Sequence, residues 1–168
     1  MVVLALVAIL ASMAAPSFQT LLAKRTVEAA ADAMLADLRF ARSESVKRAA
    51  RVTLCQSSDS TSCGGIAGAW IDGWIVFIDE DGDGALDAGD EVIRVQQRLP
   101  SMGSIASTNP ASDRKNFTYQ PTGWSRSANQ TFIFKPAGSV AGSTQRILCI
   151  SNQGRPGLKA LGATSCAA

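Results

Sequence analysis

The pattern of apolar and polar positions divides the chain into a rod and a globule. Residues 1–15 (MVVLALVAILASMAA) carry no charge, and Pro16 follows. From Ser17 to Arg51 apolar residues recur at Phe18, Leu21, Leu22, Met34, Leu35, Leu38 and Ala41, close to a helical period. Lys24, Arg25, Glu28, Asp32, Asp37, Arg39, Arg42, Glu44, Lys47 and Arg48 fall on the opposite face. Several of them stand three or four apart with opposite sign, as a solvated face does. The spacing predicts a long helix to Arg51, kinked at Pro16, with its apolar face on a sheet.

Behind the helix the period changes. Short β-rich runs alternate with turn clusters: Arg51–Cys55, Trp74–Asp79, Glu91–Val95, Thr131–Lys135 and Arg146–Ser151. Trp74–Asp79 (WIVFID) is nearly all apolar and is expected to be central, with Glu91–Val95 as its antiparallel partner. Residues 56–73 and the Ser/Asn/Gly/Pro-flavoured stretch from Ser101 to Asn116 are expected to be loops. One helix followed by strands gives an α+β fold, a long N-terminal helix packed on antiparallel sheets. Residues 1–16 read as a membrane or fibre-packing helix, 17–51 as an amphipathic helix, and 52–168 as a β-rich head. Trp70, Trp74 and Trp124 are expected in its core.

Composition narrows the chemistry. The chain has 168 residues, no histidine and a formal net charge of +2. Without histidine, a Ser-His-Asp triad, a Cys-His pair and a His-ligated zinc site are excluded. No nucleophile motif surrounds the Ser and Lys residues, so the chain reads as a non-enzyme. The mild charge does not announce a nucleic-acid binder. Four cysteines, Cys55, Cys63, Cys149 and Cys166, are even in number and lack zinc-knuckle spacing. Two disulfides in an oxidising compartment are expected. Three connectivities exist, and Cys55–Cys63 with Cys149–Cys166 is the simplest.

The acidic stretch from Asp79 to Asp90 (DEDGDGALDAGD) offers carboxylates at relative positions 1, 3, 5, 9 and 12, namely Asp79, Asp81, Asp83, Asp87 and Asp90. That is an EF-hand-like ligand order, which makes these residues candidate Ca²⁺ ligands. Asp90 stands where a bidentate Glu is usual, and a strand rather than a helix precedes the loop. The competing reading is an Asp/Gly-rich connection whose Asp side chains cap the turn.

Residues 1–15 span ~22 Å as a helix, short of the ~30 Å hydrocarbon core of a bilayer. The stretch MVVLALVAILASMAAPSF resembles the N-terminal helix of type IV pilins and type II secretion pseudopilins, with Pro16 at the expected place. The resemblance implies that a cleavage Gly, a Phe and a Glu precede Met1, so the true start is expected upstream. Met1, Val2, Val3, Leu4, Leu6, Val7, Ile9, Leu10 and Pro16 would then belong to the anchor. Further along, Leu38-Arg39-Phe40-Ala41-Arg42-Ser43-Glu44-Ser45, Arg51-Val52-Thr53-Leu54-Cys55, Asp72-Gly73-Trp74-Ile75-Val76-Phe77 and Leu148-Cys149-Ile150-Ser151 with Gly154-Arg155 are similar to the H-type (GspH) pseudopilins and FimT/FimU-type minor pilins. This resemblance implies a type IV pilin-like fold and a single pass through the bacterial inner membrane, with the head in the periplasm. It implies a structural subunit of a type II secretion pseudopilus or a type IV pilus, in the tip or initiation complex. Its partners would be other pilins and an inner-membrane assembly platform, with no cofactor beyond the candidate Ca²⁺.

The tail Gly154-Arg155-Pro156-Gly157-Leu158-Lys159 resembles the Gly-Arg-x-Arg element of FimT-type proteins that take up DNA. Gly157 replaces the second arginine. The alternative role implied is DNA binding in natural transformation, with Arg126, Arg146, Arg155 and Lys159 facing phosphate.

Overall fold

The computed structural model describes residues 2–65, 70–108, 115–125, 130–138 and 144–166, with only the backbone described for residues 2–16 and 108. A single helix, α1, covers Val2–Arg48 and continues through position 16 as one element. It is followed by β1 (Val52–Gln56), a 3₁₀ turn at Trp70–Asp72, β2 (Trp74–Ile78), β3 (Glu91–Gln96), β4 (Met102–Thr108), β5 (Asn116–Tyr119), β6 (Gln130–Pro136), β7 (Arg146–Ile150) and β8 (Pro156–Leu158). The strands form two antiparallel four-stranded sheets, ordered β3-β2-β1-β5 and β4-β6-β7-β8.

The helix stops at Arg48, three residues short of the expected Arg51. Ala49 takes φ 50°, a left-handed conformation. Its N–H donates to the Val46 carbonyl, and the Ala50 N–H donates to the Ser45 carbonyl. These are the two bonds of a Schellman closure, with alanine at the position glycine usually fills.

One apolar cluster joins the helix to both sheets. Val27, Ala30, Ala31, Met34, Leu38 and Ala41 of α1 are buried against Leu54, Trp74, Val76, Phe117, Tyr119, Phe132, Phe134 and Leu148. The alanines let the helix axis approach the sheets closely. Trp70 meets Phe132 edge-to-face at 5.1 Å between centroids, a favourable aromatic geometry.

Sheet β3-β2-β1-β5 is covered on its second face as well. Cys55, Ile75 and Phe77 form a separate buried group, roofed by Cys63 and Leu86 from two loops. A strand buried on both faces reads as a continuous apolar run, which accounts for the sequence of β2. As expected, β2 is interior and pairs with β3.

The expected loop from Ser101 to Asn116 contains a strand. β4 pairs with β6 over Met102–Thr108 and buries Met102 and Ile105. Its other residues are small or polar, so pairing rather than side-chain pattern makes it a strand. Gly103 permits the close approach there, since a Cβ would lie 2.3 Å from the Pro136 carbonyl oxygen.

Candidate functional site

Among the residues of α1 whose side chains are described, none from Ser17 to Thr26 is buried, and burial begins at Val27. Phe18, Leu21 and Leu22 are 60%, 50% and 51% exposed. The head therefore clothes α1 from Val27 on and leaves the apolar side chains of Phe18, Leu21 and Leu22 bare. Met1 and the side chains of Val2, Val3, Leu4, Leu6, Val7, Ile9, Leu10 and Pro16 lie outside the described residues. Among the described residues no helix is long and apolar enough to cross a membrane.

Two polar ties fix the clothed half of α1 to the first sheet. Asp37, assigned to the solvated face by the sequence, is buried. Trp74 Nε1 donates to its Oδ2 at 2.8 Å, and an Arg94 guanidinium nitrogen donates to its Oδ1 at 2.8 Å. The Arg94 guanidinium also sits 4.7 Å over the Phe40 ring, a cation–π contact. The sequence held a signal for this: Asp37 is three residues after buried Met34 and four before buried Ala41, inside the apolar stripe. Three turns on, Arg48 bridges Glu44 at 2.7 Å and Glu91 at 2.9 Å. The Arg48 hydrogen bond, with help from Lys47, holds the Glu44 carboxyl below its ordinary range.

The acidic loop is closed by its own side chains. Asp79 is buried; its Oδ2 accepts from Thr53 Oγ1 at 2.7 Å and its Oδ1 from the Gly82 N–H at 2.6 Å. Asp81 accepts from the Asp83 N–H, and Asp83 from the Ala85 N–H. Asp90 accepts from the N–H groups of Glu80 and Asp87. Arg51 donates to the carbonyls of Asp79 and Glu80. Gly82 and Gly84 turn the chain with φ 83° and 81°, values that an L side chain resists. Asp79, Asp81 and Asp83 each place one carboxylate oxygen within 4.8 Å of the others. Asp87 has its carboxyl pushed up by desolvation and then by the charges of Asp81, Asp90 and Asp83. These oxygens are the ones that would hold a hard cation.

Both disulfides pair nearest neighbours, Cys55 with Cys63 and Cys149 with Cys166. The first ties the loop that roofs β1 and β2. Within that loop, Asp59 accepts from the Ser62 hydroxyl, the Thr61 and Ser62 N–H groups and the Ser57 hydroxyl. These bonds, led by the Ser62 hydroxyl, hold its carboxyl far below the ordinary range.

The predicted basic cluster is only partly assembled. Arg155 and Lys159 line one open cavity of about 600 Å³, together with Gln130, Ser151 and the Cys149–Cys166 bridge. Arg146 is in β7, its Nε buried without a partner, and does not line that cavity. Arg126 lies outside the described residues. Gly154 is dictated by packing: φ is 72°, a Cβ would lie 2.9 Å from the Tyr119 ring, and its carbonyl accepts from the Tyr119 hydroxyl at 2.9 Å. Burial pushes that phenol up, offset in part by Arg42. Trp124 departs from the expected core position. It is 59% exposed, in a turn where the Gln120 N–H donates to the Trp124 carbonyl. The sequence reading also missed Arg39 and Arg42 as companions of Arg155. All three line one groove of about 470 Å³ with Ser43, Val46 and Pro156.

Comparison with known proteins places this architecture. Two crystal structures of the type IV minor pilin FimU of Pseudomonas aeruginosa are similar, each at 20% identity. One has a TM-score of 0.63 and covers 84% of this chain and 93% of that one; the other has 0.60 and covers 83% and 98%. The likeness confirms the type IV pilin-like fold, one long helix on antiparallel sheets. No curated protein sequence matches the chain. The family model described as type II transport protein GspH matches residues 30–154, which take in most of the buried part of α1, the strands β1 to β7, the acidic loop and Gly154. The chain therefore belongs to the GspH family, a family of structural, non-enzymatic pilin-like subunits.

Proposed function

We propose that the chain is a minor pilin or pseudopilin that enters a fibre built at the bacterial inner membrane, in its tip or initiation complex, and serves type II secretion or type IV pilus assembly. The observation that carries this reading is the half-clothed helix. Phe18, Leu21 and Leu22 are exposed on a continuous helix whose later turns are sealed by the head. Exposed apolar side chains on a rod gain by burial, roughly 1.5–3 kcal/mol for each side chain fully covered. Neighbouring pilin helices are the partners that would cover them, with an inner-membrane platform feeding subunits in. Residues 1–16 would serve as the anchor before assembly. The test is cysteine crosslinking from Phe18 and Leu21 to the major subunit in assembled fibres, together with deletion of the gene. Crosslinks, and loss of secretion or of surface pili on deletion, are expected. Fibres that assemble without the chain and never crosslink to it would overturn the reading.

DNA binding is the second reading, favoured by Arg155 and Lys159 facing one cavity. Its test is a mobility shift with a short duplex at low salt. Phosphate-driven binding falls steeply as salt rises, and an unshifted duplex removes this reading.

A further inference from the structure

The two disulfides stand in opposite surroundings. Cys55 has no exposed surface and sits in the apolar group of Ile75 and Phe77. Cys63 is partly exposed, so a thiol reaches that bridge from one end alone. Attack on Cys63 would expel Cys55 as a thiolate into apolar surroundings, where a thiolate is disfavoured.

The second bridge is different at both ends. Cys149 and Cys166 are each partly exposed and line the open cavity of about 600 Å³ that also takes Arg155 and Lys159. Among the described residues neither cation bridges a carboxylate. Thr131 stands opposite Cys149 across β6 and β7, and its hydroxyl lies 3.1 Å from Cys166 Sγ. A bridged sulfur has no proton to give, so the hydroxyl donates. Cations beside a cysteine lower its pKa and favour the thiolate, and a hydroxyl donated to the sulfur favours that charged form further. Thiol–disulfide exchange runs faster the better the leaving thiolate is stabilised.

Little of the fold hangs on this bridge. Up to Ala163 the chain after β8 is held by other bonds. The Lys159 N–H donates to the Ile147 carbonyl, the Gly162 N–H to the Gln145 carbonyl, and Gln145 Nε2 to the Ala163 carbonyl at 2.6 Å. Beyond it Thr164 and Ser165 are exposed, and Cys166 is tied back to Cys149. Opening the bridge frees this short strap and leaves the sheet paired.

We propose that Cys149–Cys166 is a thiol-exchange site whose co-reactant is a small thiol or a protein dithiol, while Cys55–Cys63 is a closed structural bridge. The thiolate of the co-reactant attacks Cys149 Sγ. A new S–S bond forms, the Cys149–Cys166 bond breaks, and its electron pair leaves on Cys166, beside the Thr131 hydroxyl. The second thiol of a dithiol then attacks its own partner's sulfur in the mixed disulfide, and Cys149 leaves as a thiolate. The dithiol is oxidised to a disulfide, the protein bridge is reduced to two cysteines, and the two protons of the dithiol pass to them. A monothiol stops at the mixed disulfide on Cys149. Exchange at this bridge does not depend on entry of the chain into a fibre.

The test exposes the oxidised full chain in detergent micelles to dithiothreitol under native conditions. Samples are quenched with iodoacetamide at intervals, and alkylation of each cysteine is read by peptide mass spectrometry. Cys149 and Cys166 are expected to label together, roughly tenfold or more faster than Cys55 and Cys63. Thr131→Val and the double variant Arg155→Gln/Lys159→Gln should each slow that pair about threefold or more and leave Cys55 and Cys63 unchanged. Thr131→Ser keeps the hydroxyl and should react as the wild type, which separates loss of the donor from loss of packing. With glutathione the adduct should sit on Cys149, with the alkyl group on Cys166. Four cysteines labelling at one rate, as reduction through global unfolding gives, overturns the proposal. So does earlier labelling of Cys55 and Cys63, a wild-type rate in both slowing variants, or a glutathione adduct on Cys166.

Discussion

Replacing Asp37 by alanine tests how the helix is locked to the sheet. The change leaves Trp74 Nε1 buried with no acceptor, since Trp74 has no exposed surface. A buried donor without a partner costs about 1–3 kcal/mol. The bridge to Arg94 is lost too, but the Arg94 side chain is 46% exposed, so its share is roughly 0–1 kcal/mol after screening. Arg94 keeps its place over Phe40, which limits the loss further. Relief of the desolvated carboxylate offsets part of the cost. The expected net is about 2–3 kcal/mol, a fall in Tm of roughly 4–12 °C for a chain of this size. Asp37→Asn keeps an acceptor for the indole and should cost about half as much. Trp74→Phe removes the donor, and Asp37→Ala in that background should cost at least ~1 kcal/mol less than in the wild type, a coupling that a double-mutant cycle reads directly. The assay is urea unfolding of the oxidised chain, followed by near-ultraviolet circular dichroism. Equal effects of Ala and Asn at position 37, or no coupling to Trp74, would refute the reasoning.

Ala49→Gly relieves a left-handed alanine at the end of α1 and should stabilise the chain by about 0.5–1 kcal/mol, net of glycine's extra freedom when unfolded; a lower urea midpoint would count against the Schellman closure. The Asp59 carboxyl is held below its unfolded value, so its stabilising effect is complete above about pH 4 and is lost as pH falls through the folded value. Asp59→Asn should therefore flatten the acid side of the stability profile, and a wild-type slope in the variant would show that Asp59 is not the group responsible. The acidic loop is closed by Thr53, its own N–H groups and Arg51, so millimolar Ca²⁺ should lie below its Kd and move Tm by less than about 1 °C, since stabilisation by RT ln(1 + [L]/Kd) is then only a few tenths of a kcal/mol. A shift of several degrees that Asp81→Asn abolishes would instead make the loop a cation site.

Much of the fold was legible because it follows periodicity. The run Phe18 to Ala41 announced the helix, and WIVFI announced a strand covered on both sides. β4, β5 and β8 were not legible: MGSIAST is mostly small or polar, NFTY and PGL are only four and three residues long, and their partners make them strands. The nearest-neighbour disulfides were the simplest of three open connectivities, and they are the ones formed. Asp37 was misread because charge was weighed above position, although the stripe through Met34 and Ala41 passes over it. The groove had no local signal at all. Arg39 and Arg42 look like any solvated pair until the β7–β8 turn brings Arg155 beside them.

The roofed face of the first sheet has a consequence for where the head is completed. The core on α1 contains no cysteine. The smaller group of Cys55, Ile75 and Phe77 is different, since one of its covers, Cys63, is stitched down by a disulfide. Such bonds form only in an oxidising compartment. The roof over the outer face is therefore completed only in an oxidising compartment, whereas the apolar packing on the helix sets no such condition.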